Sequence, residues 1–108
     1  MVIYINNAYS TKMLENALIM QEEIEFEEFN EACKNPDAIN CIGHPDTAEI
    51  FGVEMARRTI HLVDGDVLFI CEMNNKTGTR LPEGITRMSE LPEGAYFRFL
   101  KITVLEAI

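Results

Sequence analysis

The sequence predicts an α/β fold, a single domain in which a mixed β-sheet is covered by short helices. Three observations lead to this fold class: a short β-branched run near the start, an amphipathic helical stretch after it, and two apolar strand-like runs in the second half. At 108 residues the chain has the size of one domain, and it contains no repeat, linker or low-complexity tract. We therefore expect one domain over residues 1–108.

The first part of the chain predicts a strand, a loop and a helix. Residues 2–5 form a short β-branched run, typical of a strand buried on both faces, and the polar loop after it lies where open α/β sheets hold ligands. Residues 17–24 alternate as a second strand would, but helix formers dominate them, so a helix remains open there. Residues 25–34 place apolar side chains at helical spacing opposite an acidic face, which predicts an amphipathic helix.

The rest of the chain predicts a short helix followed by strands. The helix starts at about residue 44 and ends at Gly52. Residues 57–63 alternate between polar and apolar side chains, and a turn joins them to the apolar run 67–73, so we expect these two runs to pair as a hairpin. A polar loop at 74–78, a short helix at 85–91 and a last strand at 95–105 complete the pattern.

Composition and charge exclude several classes of protein. Nine Lys and Arg against eighteen Asp and Glu give a net charge of −9, which argues against duplex-DNA binding because that affinity comes from many neutralised phosphates. The three cysteines have no CxxC spacing, so neither a zinc site nor a disulfide framework follows, and a reduced, cytoplasmic protein is the simplest interpretation. No apolar run approaches the ~20 residues that span a bilayer, and the first residues lack the order of a signal peptide, so no membrane partner is expected.

The stretch of residues 39–47 has the most unusual local chemistry. His44 stands between Gly43 and Pro45, and proline favours the first position of a helix, so the imidazole should lie where a helix begins. Unpaired N–H groups would then face whatever binds beside it, which suits an anion such as a phosphate. A structural helix-entry histidine fits the local sequence as well as a catalytic one does. The other histidine, His61, is expected to be a half-exposed partner between paired strands.

A second polar group lies in the turn at residues 80–84. Arg80 and Glu83 flank Pro82, so a guanidinium and a carboxylate could address one phosphate or orient one imidazole; an ordinary surface ion pair is the alternative. The chain contains none of the local signatures of covalent catalysis, nucleotide hydrolysis or zinc-dependent hydrolysis. Those three reaction classes are therefore disfavoured.

Four groups of residues occur in an order and spacing that match one known family. They are YINNAYS at positions 4–10 with Met13 and Leu14, INCIGHPDT at 39–47, Arg58, and RLPEG at 80–84. In this combination, over nearly the whole chain, they resemble the viral type III anti-CRISPR ring nucleases, which occur in archaeal viruses, phages and bacterial mobile elements.

The resemblance implies a homodimer that binds cyclic tetra-adenylate, the second messenger of type III CRISPR defence. It further implies cleavage without a metal or cofactor, in the host cytoplasm, to linear di-adenylates with 2′,3′-cyclic phosphate ends. His44 matches the family's catalytic histidine, and Ser10, Arg80 and Glu83 match its other active-site residues. Residues that match ligand-contacting positions are Asn7, Thr47 and Arg58.

The residues are suited to that chemistry, because a ribonucleotide ring brings its own nucleophile, the 2′-hydroxyl. His44 would protonate the departing 5′-oxygen, and Arg80 would neutralise charge on the phosphorane. Ser10 would hold the scissile phosphate or the ribose, and Glu83 would orient His44 and favour its charged form. Two alternatives stay open: a non-catalytic module that binds a cyclic nucleotide, a nucleic acid or a host protein, and a small dimeric structural protein.

Overall fold

The strand near the start of the chain is the centre of the parallel part of the sheet. In the computed structural model, which describes residues 1–76 and 78–108, β1 (Ile3–Asn6) lies between β3 (Ile39–Asn40) and β4 (Val67–Asn74) and is parallel to both. The last strand, β5 (Tyr96–Ala107), is antiparallel to β4 and to β2 (Ala17–Ile24). The order β2–β5–β4–β1–β3 confirms the predicted α/β fold with a mixed sheet.

Two helices cover one face of this sheet. α1 (Phe26–Lys34) confirms the predicted amphipathic helix, because Phe29 is fully buried while the glutamates of the opposite face are exposed. α2 (Pro45–Ile50) follows β3, and Phe51 is its C-cap residue. The Phe29 ring contacts the rings of Phe51 and Phe99 at centroid distances of 5.1 and 5.2 Å, which joins both helices to β5.

The other face of the sheet is covered by residues 57–63, and here the predicted hairpin is wrong. These residues form no strand, because β4 already pairs with β1 on one edge and with β5 on the other. Ile60 and Leu62 are nevertheless buried against the sheet, while His61 between them is exposed. The alternation therefore reflects packing across a sheet face rather than pairing between strands.

A buried carboxylate holds this covering segment in place. Asp66 is 1% exposed and accepts the backbone N–H of Val2 and that of Val63, both at 2.9 Å. The first bond ties Asp66 to the residue before β1, and the second closes the turn that leads into β4. Burial of this polar side chain is compatible with a stable fold because both carboxylate oxygens accept hydrogen bonds.

Two smaller predictions are changed by the structure. The helix expected at residues 85–91 is only a single 3₁₀ turn, Met88–Glu90. β4 runs on to Asn74, the first residue of the predicted polar loop, and Thr77 of that loop lies outside the described residues. No helix in the described part of the chain has the length and hydropathy needed to cross a membrane.

Candidate functional site

The candidate residues follow three parallel strands that end at one edge of the sheet. Asn7 comes directly after β1, His44 follows β3, and Arg80 lies in the loop after β4. Because the three strands are parallel neighbours, their carboxyl ends meet, with β1 in the middle. Ligands of open α/β sheets bind at such a point. The topology therefore brings together residues from distant parts of the chain.

His44 caps the helix that it begins. Its backbone is extended (φ −102°, ψ 117°) and Pro45 takes the first helical position, which confirms the predicted helix start. Ring atom Nδ1 accepts the backbone N–H of Thr47 at 3.2 Å and lies 3.1 Å from Thr47 Oγ1. Because a backbone N–H can only donate, Nδ1 carries the lone pair, and the proton of the neutral ring is on Nε2. The unpaired N–H groups at this helix start were expected to face an anion. The N–H of Thr47 is instead bound to His44 itself.

Three hollows in the surface meet at His44. One of about 610 Å³ separates it from the turn that carries Arg80 and Glu83. Another, of about 430 Å³, is lined by His44 together with the loop after β1. A cavity of about 110 Å³ has His44 and Thr47 on its wall. The seven candidate residues all line at least one of these hollows: His44, Glu83, Arg80, Ser10, Asn7, Thr47 and Arg58.

Hydrogen bonds fix the turn that carries Arg80 and Glu83. Gly84 donates its N–H to Asp46 Oδ2 at 3.2 Å, and the side-chain amide of Asn75 donates to the carbonyl oxygen of Arg80. Both site side chains on this turn are exposed to the hollow. The residue hydrogen-bonded to the His44 ring is Thr47. The expected orientation of the imidazole by Glu83 stays a prediction.

The loop after β1 contributes a hydroxyl. Ser10 precedes a 3₁₀ turn, Thr11–Met13, and its Oγ accepts the N–H of Lys12 at 3.2 Å. Since Oγ acts as an acceptor in that bond, its own proton can still be donated to a ligand oxygen.

Arg57 is a site residue that the sequence interpretation missed. Its Nε donates to the carbonyl oxygen of Gly43 at 3.4 Å, and it lines the same hollow as Arg58. A Cβ atom on Gly43 would lie 3.2 Å from Arg57 Cγ, so the glycine lets the arginine stem cross the backbone just before His44. The sequence does show two adjacent arginines, Arg57 and Arg58, which could have indicated an anion-binding site. Their approach to Gly43 depends on the fold.

The 430 Å³ hollow is cationic although the protein is acidic, whereas the 610 Å³ hollow has Arg80 together with two carboxylates, Asp46 and Glu83. Arg57, Arg58 and Arg80 are all exposed, and within residues 1–76 and 78–108 the one ion pair joins Arg98 to Glu23 instead. These three guanidinium groups are therefore available to an anion.

Cys41 on the wall of the second hollow is not a nucleophile. Burial raises the pKa of its thiol, and the nearby Arg58 guanidinium only partly opposes that effect. The thiol form therefore persists at neutral pH, and the thiolate is the reactive species.

Taken as a class, the chain is a small α/β protein with a site that contains arginines and a histidine at the ends of its parallel strands. It is similar to B116 of Sulfolobus turreted icosahedral virus, with a TM-score of 0.72 and 20% identity over 94% of this chain and 97% of B116. The family model described as STIV B116-like matches residues 3–100, and the chain belongs to that family. This membership is consistent with the viral ring nuclease resemblance of its motifs. No curated protein matches the chain.

Proposed function

We propose that this protein is a metal-independent ring nuclease that cleaves cyclic tetra-adenylate into linear di-adenylates with 2′,3′-cyclic phosphate ends. The observation that carries the proposal is the position of His44, a titratable ring where three hollows meet, with the other six candidate residues on their walls. Loss of the cyclic messenger would damp type III CRISPR signalling in the host cell.

The proposed reaction is an internal transesterification. The 2′-oxygen of one ribose forms a bond to the adjacent phosphorus, and the bond from phosphorus to the 5′-oxygen breaks. Nε2 of protonated His44 gives its proton to the leaving 5′-oxygen, and the proton of the 2′-hydroxyl passes to water. General-acid catalysis of this kind contributes about 10²–10⁴ in rate.

The surrounding groups have separate roles in this proposal. Arg80 lines two of the hollows with His44 and neutralises charge on the phosphorane. Ser10 donates its hydroxyl proton to the phosphate or the ribose, and Arg58 binds a further phosphate. Glu83 lies on the wall of the 610 Å³ hollow that His44 also lines, and we assign its carboxylate to the ribose hydroxyls of the ligand.

A homodimer is the proposed working unit. A ring with four-fold repetition, placed on a two-fold axis, offers equivalent phosphates to two copies of one site, which gives two identical halves as products. Apolar side chains are exposed on β2 and at the end of β5, where Leu18 and Leu105 are 55% and 57% exposed. Sedimentation velocity of the parent and of Leu18→Glu measures whether this surface joins two copies.

One observation favours a non-catalytic alternative, in which the protein only sequesters the ring. His44 already has a structural role as the cap of α2 through Thr47, so its presence does not by itself require chemistry. The cationic hollow with Arg57 and Arg58 would bind a polyanion in either case.

The test is incubation of the purified protein with radiolabelled cyclic tetra-adenylate in EDTA, with products separated by chromatography. His44→Ala should lose cleavage and keep binding. The imidazole protonates the leaving oxygen during the reaction and contributes little to the affinity for the uncleaved ligand. His61→Ala is the matched control, since His61 is exposed and lies outside the three hollows.

Three results would contradict the proposal. Tight binding by the parent without conversion would establish sequestration, and cleavage by His44→Ala at the parent rate would remove His44 from the mechanism. Absence of binding would reject this ligand altogether.

A further inference from the structure

The contact between His44 and Thr47 raises a specific problem for acid catalysis. The backbone N–H of Thr47 donates to Nδ1 at 3.2 Å, and this bond exists only while Nδ1 is unprotonated. A general acid acting through Nε2 must start with protons on both ring nitrogens. A proton on Nδ1 would then face the N–H of Thr47, donor against donor. Some other group must accept that proton.

The side chain of Thr47 provides such an acceptor. Oγ1 lies 3.1 Å from Nδ1, and a hydroxyl can either donate or accept, depending on its rotation about the C–O bond. When the ring is neutral, the hydroxyl donates to the Nδ1 lone pair. When Nδ1 is protonated, the hydroxyl turns and accepts from it. The same oxygen therefore fits both states of His44 without moving.

We propose that Thr47 is a positioning residue of the nuclease, and that its hydroxyl accepts the Nδ1 proton of His44 in the acid form while Nε2 protonates the leaving 5′-oxygen. The inference rests on the proposed function. It replaces two earlier expectations: that Thr47 contacts the ligand, and that Glu83 orients the imidazole.

Burial and geometry support this role. Thr47 is only 4% exposed, so little of its surface is open to a ligand, and its position three residues after His44 places it on the same face of the helix start. The two nitrogens lie on different edges of the imidazole ring. With Nδ1 bound to Thr47, Nε2 is the nitrogen left for a ligand.

Two substitutions separate the hydroxyl from the shape of the side chain. Thr47→Val keeps the volume, the branching and the backbone N–H but removes the acceptor, whereas Thr47→Ser keeps the acceptor and removes a methyl group. We expect single-turnover cleavage of cyclic tetra-adenylate to slow by about ten- to a hundredfold in Thr47→Val, the range expected when a catalytic group is misplaced or wrongly protonated. Thr47→Ser should retain most of the parent rate, and both variants should bind the ring with the parent Kd.

A second substrate tests whether the defect acts through proton transfer. A cyclic tetra-adenylate with sulfur in place of a bridging 5′-oxygen has a leaving group that departs as a thiolate and needs no proton, since thiols are far more acidic than alcohols. On this ring the rates of parent, Thr47→Val and His44→Ala should converge to within about threefold, because the step these side chains assist is bypassed. A merely structural defect would slow both substrates equally.

Three outcomes overturn the inference. They are an unchanged rate in Thr47→Val, a weakened Kd with an unchanged single-turnover rate at saturation, and an equal loss on the oxygen and sulfur rings. If Thr47→Val melts well below the parent, Thr47→Ala takes its place in the same comparison.

¹⁵N NMR of the imidazole nitrogens tests the contact between His44 and Thr47 independently of activity. It remains informative even if the parent cleaves neither cyclic tetra-adenylate substrate, a result that would reject the proposed function. The chain has two histidines, and His61→Gln assigns their signals. Neutral His44 should show one tautomer with its proton on Nε2, whereas exposed His61 averages between two. In Thr47→Val the ¹⁵N chemical shift of His44 Nδ1 should move toward the value of an unprotonated ring nitrogen that accepts no hydrogen bond. In Thr47→Ser this chemical shift should equal that of the parent. Tautomer averaging at His44 in the parent would overturn the inference.

Discussion

Gly84 donates its backbone N–H to Asp46 Oδ2 at 3.2 Å, and this hydrogen bond joins the turn that carries Arg80 and Glu83 to the helix that His44 begins. The two catalytic candidates on the turn therefore depend on a carboxylate two residues after the histidine. Asp46 also lines the hollow, so it places a negative charge where a phosphate would bind. Asp46 therefore favours cleavage by positioning the turn and opposes phosphate binding by its charge. Substitutions can separate these two effects.

Asp46→Ala should lower the single-turnover cleavage rate by about tenfold, because a misplacement of the turn by as little as ~1 Å moves Arg80 off the phosphorane. The same change should tighten binding of cyclic tetra-adenylate, since it removes a negative charge from the hollow. Asp46→Asn removes that charge but keeps an acceptor oxygen, so it should tighten binding with a smaller loss of rate. Glu49→Ala removes an exposed carboxylate from the same helix as a control for charge alone. Equal rates for the Ala and Asn variants would show that the bond to Gly84 does not position the turn.

Arg57→Ala should weaken binding of the ring by about tenfold and should lower the slope of log K against log salt by roughly 0.7, the value for one lost phosphate contact on a single strand. The reason is that the Arg57 guanidinium lies beside Arg58 in the hollow that His44 and Ser10 line. Titrations in the His44→Ala background measure binding without cleavage. Arg87→Ala removes an exposed arginine that lies outside the three hollows, and it should leave both quantities unchanged. An unaltered salt slope in Arg57→Ala would mean that this cation does not touch a phosphate.

Phe29→Ala should destabilise the fold by about 3–5 kcal/mol, because it empties a fully buried position between the two helices and β5. Phe26→Ala is the matched control on the same helix. Phe26 is 40% exposed and its ring contacts Phe99 at 5.7 Å, so its removal should cost about 1 kcal/mol. Urea unfolding followed by circular dichroism measures both free energies. Similar losses in the two variants would contradict the placement of the core.

The sequence predicted most of the fold because burial patterns are local. The acidic face of α1, the apolar strand β4 and the alternation of β5 each follow from side chains close together in the chain. β2 became a strand despite its helix formers because the free edge of β5 pairs with it over eight residues, and tertiary pairing outweighs weak propensity.

The predicted hairpin shows where local pattern stops being sufficient. Residues 59–63 alternate between exposed and buried as predicted, whereas Arg57 and Arg58 are both exposed; alternation does not say which strand edge is free, and β4 has none. The site shows the same limit. The motif around His44 could be recognised from its residues, whereas the approach of Arg57 to Gly43 and the capping of the ring by Thr47 depend on backbone geometry.

Folding stability should fall at alkaline pH through the thiol of Cys33. Burial on α1 raises the pKa of this thiol from its ordinary value of 9.0 to about 11. The unfolded chain therefore releases the proton first, and the stabilisation is complete below pH 9 and lost as the pH rises through 11. Burial also raises the pKa of Tyr4, so this group contributes to the alkaline loss of stability in the same direction.

Comparison of the parent with Cys33→Ala isolates the contribution of Cys33. Urea unfolding over a series from below pH 9 to pH 11 should give a free energy of unfolding that declines more steeply in the parent than in the variant. Their difference at neutral pH reports only packing, and the change in that difference with pH reports the ionisation of Cys33. Parallel curves would mean that Cys33 ionises as readily in the folded protein as in the unfolded chain, and that its side chain is not held away from water by α1.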